Sequence, residues 1–229
     1  MSAGFLSRIS LRQDASVQAI AQLLVPQGES NQHKAAHHLL WVLFGDTPDR
    51  KRDFLWRQTD PGCFLVLSAR EPVDTHGLFD IESQVFAPRL KDGSRLGFML
   101  RANATLDRKC EGRARSKRHD IVMDALYHIP KEQRAHARDG VVQQAITSWL
   151  LRQGQRTGFA LQPDALSVQG CDVLRVAREA GQSKATFGVV NVTGALCVTD
   201  PALFVPALMH GFGRAKAFGC GLMLIRRAL

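Results

Sequence analysis

The period of the apolar residues changes in the same order twice along this 229-residue chain, and that repetition limits the folds open to it. Phe5, Ile9 and Leu11 mark a strand over 5–11. Asp14 can cap a helix through Leu24 that Pro26 ends, and a second helix follows over about 31–44, stopped by Gly45. Phe54–Arg57 and Cys63–Ser68 are strand-like on either side of the turn residues Asp60-Pro-Gly62. After a poorly defined linker, Phe79, Ile81, Ser83 and Val85 alternate as another strand. The second half begins with Leu96, Phe98, Leu100 and Ala102 in strand alternation, then a polar, irregular stretch over 105–119. Val142, Ala145, Ile146, Trp149 and Leu150 share one helical face, with Gly154 as the expected stop. Strands are expected over 165–178 and 185–198. Asp200-Pro201 then opens a helix to His210, which Pro206 should bend or shorten, and a last strand covers 222–226.

Two β-α-β-β-α-β units in tandem form the ferredoxin-like pattern, the topology that also underlies RRM-type RNA-binding modules. The expected fold is therefore α+β, with two tandem ferredoxin-like (RRM-like) domains built on antiparallel sheets. The expected domains are 1–90 and 94–229, divided where Lys91-Asp-Gly93 interrupts the apolar pattern.

The segment Gly211-Phe-Gly-Arg-Ala-Lys-Ala-Phe-Gly-Cys-Gly221 lies between the last helix and the last strand. Its glycines let backbone approach a ligand closely, and its N–H groups can form an anion-binding concavity beside Arg214 and Lys216. The spacing is not that of a Walker A loop, and a dinucleotide loop follows a strand rather than a helix. Two readings stay open: contact with phosphate, or a tight helix-to-strand turn.

Charge favours an anionic partner. The formal net charge is +9, and nucleic acid is the default candidate for such a surplus. A hydrophobic content of 45% is enough for a real core, yet no apolar run is long enough to span a bilayer. The N-terminus lacks a signal-peptide core, and the five cysteines are scattered with no CxxC pair. The expectation is a cytoplasmic protein with reduced thiols, without membrane partners, and without a zinc site or disulfide framework.

Few residues offer chemistry. His33, His37 and His38 precede or enter an apolar helix face, where a shielded imidazole can exchange a proton near neutrality. Each could equally be a surface or packing histidine. Arg108, Lys109, Arg113, Arg115, Lys117 and Arg118 form a basic segment that could follow a phosphodiester backbone or remain a solvated loop. Arg101 and Asn103, two apart, are expected to point away from the apolar face set by Leu100 and Ala102. No paired-carboxylate motif, DxD run or HExxH is present, so neither a metal nor another cofactor is expected, and any RNA cleavage should proceed without metal.

Three segments together resemble the CasE family, the subtype I-E CRISPR-associated endoribonucleases. They are His37-His-Leu-Leu-Trp-Val-Leu-Phe44 with the following Arg52-Asp-Phe-Leu-Trp56, Leu100-Arg-Ala-Asn-Ala104 with the basic loop, and the glycine-rich terminus through Met223. Their order and spacing cover most of the chain, although 119–180 matches only in general pattern. The resemblance implies metal-independent cleavage of CRISPR repeat stem-loops in precursor crRNA. The ribose 2′-OH would attack the scissile phosphate, leaving a 2′,3′-cyclic phosphate (or 3′-phosphate) and a 5′-OH. It also implies retention of the hairpin product and partnership with other Cascade subunits. The family's catalytic histidine lies three residues before the Leu-Trp of the first helix, which is His37 here, as general acid or base. Lys34 stands where some members carry tyrosine and could contact phosphate. Arg101, Asn103, Arg108, Lys109, Arg113, Arg115, Lys117 and Arg118 would grip the hairpin, and Gly213, Arg214, Lys216 and Gly219 would hold the RNA backbone. The rival expectation is a non-catalytic RNA-hairpin-binding subunit of the same fold; a more distant one is a basic DNA-binding module.

Overall fold

The computed structural model describes residues 4–14, 17, 29–45, 47, 49–109, 116–176 and 185–228, with 29–34 and 185 described by backbone alone. The expected helix from Asp14 to Leu24 lies almost wholly outside the described residues. What is described there is a cap: the Val17 N–H donates to Oδ1 of Asp14 at 3.0 Å.

The first sheet contains β1 (Gly4–Leu11), β2 (Phe54–Asp60), β3 (Cys63–Ser68) and β4 (Phe79–Phe86). Its order is β2-β3-β1-β4, with every neighbour antiparallel. Helix α1 (Glu29–Trp41) connects β1 to β2. It buries Ala36, Leu39 and Leu40 against Ile9, Phe54, Phe64 and Val66 of the sheet. The periodicity put this helix over 31–44, but α-helix ends at Trp41 and tighter turns carry the chain to Phe44. Residues 69–78 form no helix, so the second crossover of this domain is a loop.

Residues 87–94 lead to the second sheet, made by β5 (Arg95–Ala102), β8 (Phe159–Leu161), β9 (Ser167–Val176), β10 (Ala185–Val198) and β11 (Met223–Arg227). Its order is β11-β5-β10, and the 14-residue β10 carries both β8 and β9 on its other edge. The same strand order as in the first sheet results, with one strand split by a 3-10 turn at Pro163–Ala165. Both halves are ferredoxin-like, as the repeated periodicity predicts.

Between β5 and β8 the structure departs from expectation. The polar stretch over 105–119 is not irregular throughout: β6 (Thr105–Arg108) and β7 (Lys117–Asp120) pair as an antiparallel ribbon. Asp120 ends that ribbon and caps α2 (Ile121–Tyr127), accepting from the N–H groups of Val122 and Met123 at 3.0 and 3.1 Å. Helix α3 then runs from Arg134 to Thr157, straight through Gly154. Gly154 is a close-packing position, because a Cβ there would sit 2.3 Å from the carbonyl oxygen of Phe159. The stop is Gly158, in the left-handed conformation at φ 78°.

Helix α4 (Pro201–His210) also outlasts its internal Pro206. Asp200 caps its first turn, accepting from Ala202 and Leu203 at 2.8 and 3.2 Å. Phe204 and Leu208, both fully buried, pin the turns on either side of the proline. The hydrogen bond that Pro206 cannot make would have gone to Ala202, which is exposed, so water can serve that carbonyl. Among the described residues no helix is long and apolar enough to cross a membrane. The described cysteines, Cys63, Cys171, Cys197 and Cys220, are free thiols.

Candidate active site at the junction of the two sheets

His37 sits on α1 between the buried Ala36 and the exposed His38, and is itself half-buried. Its neighbours are aromatic: the Trp41, Phe54 and His38 rings have centroids 6.1, 6.2 and 6.2 Å away. The Trp41 indole N–H, one helical turn on, donates to His37 Nε2 at 3.1 Å. Nδ1 is buried without a partner among the described residues. Burial first, then the positive charges of Arg52 and His38, lower the His37 pKa from 6.5 to about 4. The imidazole is therefore neutral at pH 7, and its Nε2 lone pair is held by tryptophan.

The glycine-rich loop comes to the same place from the other sheet. Its 3-10 turn, Lys216–Phe218, packs against α1 and β2. Gly213 (φ 78°) lies so close to β5 that a Cβ would be 2.6 Å from the carbonyl oxygen of Asn103. A Cβ at Gly219 (φ 77°) would lie 3.2 Å from the Trp56 ring. These glycines are demanded by packing and backbone conformation. Loop N–H groups are spent on the fold: Phe212 donates to Gly221 O (2.9 Å), Arg214 to Asn103 O (3.0 Å), Phe218 to Ala215 O (2.8 Å) and Gly221 to Arg101 O (2.7 Å). The tight-turn reading of this segment thus has a full physical account, and it leaves the Arg214 and Lys216 side chains to supply charge.

Lys216 Nζ donates to the backbone carbonyl of His210 at 2.7 Å. Burial, then Arg52 and Arg214, bring its pKa down from 10.5 to about 8. His210 is lowered as well, by Lys216 first, then burial, then Arg156 and Arg52. Arg52 itself is depressed by burial, and it forms no ion pair among the described residues. Its sequence neighbour Asp53 is occupied by Arg70, which reaches it at 2.6 and 3.3 Å. His37, Arg52, His210 and Lys216 thus form a group of mutually repelling bases and cations. Such a group is stabilised by an anion placed among them.

A second unpaired cationic contact lies beneath the loop. Burial, then the charge of Arg101 on β5, lowers the pKa of Arg57 on β2, while burial pushes the Cys220 thiol beside them up to about 11. Arg57 Nη1 and Arg101 Nε are buried without partners among the described residues.

Of the other expected site residues, Arg101 does face away from the Leu100 and Ala102 side of β5, but Asn103 does not. The strand ends at Ala102, and Asn103 turns inward to 4% exposure, its amide donating to the Gly188 carbonyl at 2.8 Å. On the β6–β7 ribbon, Arg108 pairs with Asp124 (2.6 Å) and Arg118 with Asp107 (3.2 Å). Lys109 and Lys117 are exposed and form no ion pair among the described residues. Arg113 and Arg115 lie outside the described residues, as do the side chains of Lys34 and His33. Among the described residues no three His, Cys, Asp or Glu side chains come together as a metal site.

Sequence reasoning did not single out Arg52, Arg57 or His210. Nor did it find Arg152 and Arg156 of α3, which line a hollow of about 480 Å³ beside Thr105 and Asp107 of the ribbon. An unmatched arginine two residues before a strand was the available signal for Arg52.

Comparisons with known proteins agree with this architecture. The sequence profile of the family described as "CRISPR associated protein" matches residues 5–227. The CRISPR system Cascade subunit CasE of Escherichia coli K12 is 28% identical over 218 residues, covering 89% of this chain and 96% of that protein. Among solved structures, Thermus thermophilus Cse3 bound to an RNA representing a pre-cleavage complex superposes with a TM-score of 0.65 at 22% identity, covering 99% of this chain and 100% of that one. The CRISPR-associated protein Cas6e from E. coli K-12 does so with a TM-score of 0.62 at 19% identity, covering 98% and 100%. At those identities the structural likeness carries the fold. With the profile spanning nearly the whole sequence, the chain belongs to the CRISPR-associated protein family and is CasE-like.

Proposed function

We propose that this chain is a crRNA-processing endoribonuclease that cuts CRISPR repeat stem-loops at His37 by attack of the adjacent ribose 2′-OH, without a metal ion. The observation that carries the reading is a neutral imidazole beside Arg52, which in turn faces Lys216, two cations without an ion-pair partner among the described residues. A neutral histidine can take the 2′-OH proton, and the cations stabilise the charge that grows on the phosphate. The attacking oxygen closes a 2′,3′-cyclic phosphate, and the 5′-oxygen leaves and takes up a proton. That the related proteins are named as an RNA-bound Cse3 and as a Cascade subunit supports the same assignment.

In this reading residues 1–90 supply the proton-transfer group and residues 94–229 grip the RNA. Arg101, Arg108, Lys109, Arg113, Arg115, Lys117 and Arg118 hold the stem. Arg214 and Lys216 hold the backbone near the cut, and Lys34 contacts phosphate. Gly213, Gly219 and Asn103 act by seating the loop. A-form stems are read by shape and phosphate position, which suits a basic ribbon beside the Arg152 and Arg156 hollow. The retained hairpin then ties the protein to other Cascade subunits.

The second reading, a hairpin-binding subunit that does not cut, is favoured by the occupation of His37 Nε2 by Trp41 and the burial of Nδ1. Incubating the protein with cognate repeat RNA in EDTA separates the two. Cleavage with cyclic-phosphate and 5′-OH ends supports catalysis, and tight salt-sensitive binding with intact RNA supports the second.

A further inference from the structure

A cleft of about 1050 Å³ opens between the elements of the two sheets, next to the His37 group but extending beyond it. One face of α4 forms its floor, through Pro201, Val205, Pro206 and Met209, opposite Leu55 and the segment 87–91. The side chains around it are mostly apolar. Apart from Asp53 its charged groups are cations: Arg52 and Lys216, beside the His210 imidazole, form one set, and Arg89 and Lys91 on the connecting segment form another. Among the described residues lining it, Asp53 is the single carboxylate, and Arg70 neutralises it through two contacts.

This combination selects its occupant. An apolar floor stabilises a nucleic acid only if base faces can lie on it, and a duplex keeps those faces stacked inside. A cationic rim without free carboxylates matches a phosphodiester backbone. Arg52 and Lys216 belong both to the rim and to the group around His37, so a strand held by them at the cut continues into the cleft. We infer that this cleft binds the unpaired RNA strand that continues past the scissile phosphate, away from the stem, with its bases over the α4 face and its phosphates on Arg52, Arg89, Lys91 and Lys216. The inference rests on the ribonuclease reading and adds a subsite to it. The stem is held elsewhere, so the subsite acts on the uncut strand and has no part in retaining the hairpin.

The test compares two repeat hairpins, one ending just beyond the scissile phosphate and one carrying several further unpaired nucleotides. The wild-type chain should cleave both, with KM lower for the longer RNA by about fivefold or more, the effect of one well-stacked base. Arg89→Glu with Lys91→Glu, and separately Val205→Asp, should cleave the short RNA as wild type does and lose the preference for the long one. Arg89 and Lys91 are exposed, so that double variant keeps its fold, which thermal melting checks. Binding of the same RNAs with a 2′-deoxyribose at the scissile position reads the cleft whether or not any cut occurs. Failure of cleavage alone therefore counts against the ribonuclease reading. Equal affinity for the two RNAs, or variants that keep the preference, overturns the subsite. So does a result in which the cleft variants change only association with other Cascade subunits, which would assign the surface to an acidic protein segment.

Discussion

Trp41 donates its indole N–H to Nε2 of His37 across one turn of α1, at 3.1 Å. This contact stabilises the neutral imidazole, since only an unprotonated Nε2 can accept. It also occupies the lone pair that a substrate hydroxyl would need. For His37 to take the 2′-OH proton as proposed, bound RNA has to turn one of the two rings. Trp41→Phe keeps an aromatic ring against Phe54 and removes the donor. The His37 pKa should rise slightly from about 4, since burial and the charges of Arg52 and His38 remain, followed by NMR of the His37 ring against pH. An unchanged pKa would show that burial and the charges of Arg52 and His38 hold the imidazole neutral without the indole.

The pH dependence of cleavage follows from two depressed groups. His37 titrates at about 4 in the free protein and Lys216 at about 8. Both shifts disfavour the protonated form. His37 is thus already unprotonated through the neutral range, and Lys216 loses its charge once pH exceeds about 8. Since kcat/KM reports the free enzyme, it should stay flat from pH 7 down to about 5.5 and fall above about 8. Lys216→Arg should move the alkaline fall upwards. An acid limb centred near 6.5 would mean that His37 is not the group in the position described.

Much of this arrangement is legible in the sequence, because local chemistry dictates it. The alternation in Leu96–Ala102, the Asp200-Pro201 cap and the His37-to-Trp41 spacing are all satisfied within a few residues of themselves. What was hidden depends on distant partners. Gly154 looks like a helix stop until Phe159 is seen against it. Asn103 continues the strand alternation on paper, but β10 draws its amide inward through Gly188. The β6–β7 ribbon carries almost no apolar pattern, being held by ladder pairing and the Arg118–Asp107 contact. Arg52 becomes a site residue only because Lys216 and His210 arrive from the other sheet.

Two glycines at nearly the same φ separate backbone strain from close approach. A methyl group at Gly93 (φ 79°) would have nothing within 4 Å, whereas one at Gly213 (φ 78°) would lie 2.6 Å from the Asn103 carbonyl. Gly93→Ala should cost about 1–2 kcal/mol, the left-handed penalty alone. Gly213→Ala should cost clearly more than Gly93→Ala and loosen the loop that carries Lys216. Urea unfolding of the two variants measures the difference, and equal losses would contradict the close seat described for Gly213.

Salt dependence distinguishes free from paired cations on the ribbon. Lys109 and Lys117 should contribute in full to phosphate binding, whereas Arg108 is partly committed to Asp124. Replacing both lysines with alanine should reduce the slope of log affinity against log salt by about 1–2, at roughly 0.9 for each phosphate no longer neutralised. Hairpin binding measured from low to high salt checks this, and an unchanged slope would move the stem off the ribbon.

Proton transfer by His37 in a metal-independent attack by the ribose 2′-OH is the proposal on which the others depend. The most direct measurement is single-turnover cleavage of the cognate repeat hairpin in EDTA, by wild type and His37→Ala, with ribose or 2′-deoxyribose at the scissile position. Only wild type on the ribose substrate should cleave, with a loss of at least about a hundredfold for His37→Ala. Undiminished cleavage by His37→Ala, or cutting of the deoxy substrate, would contradict it.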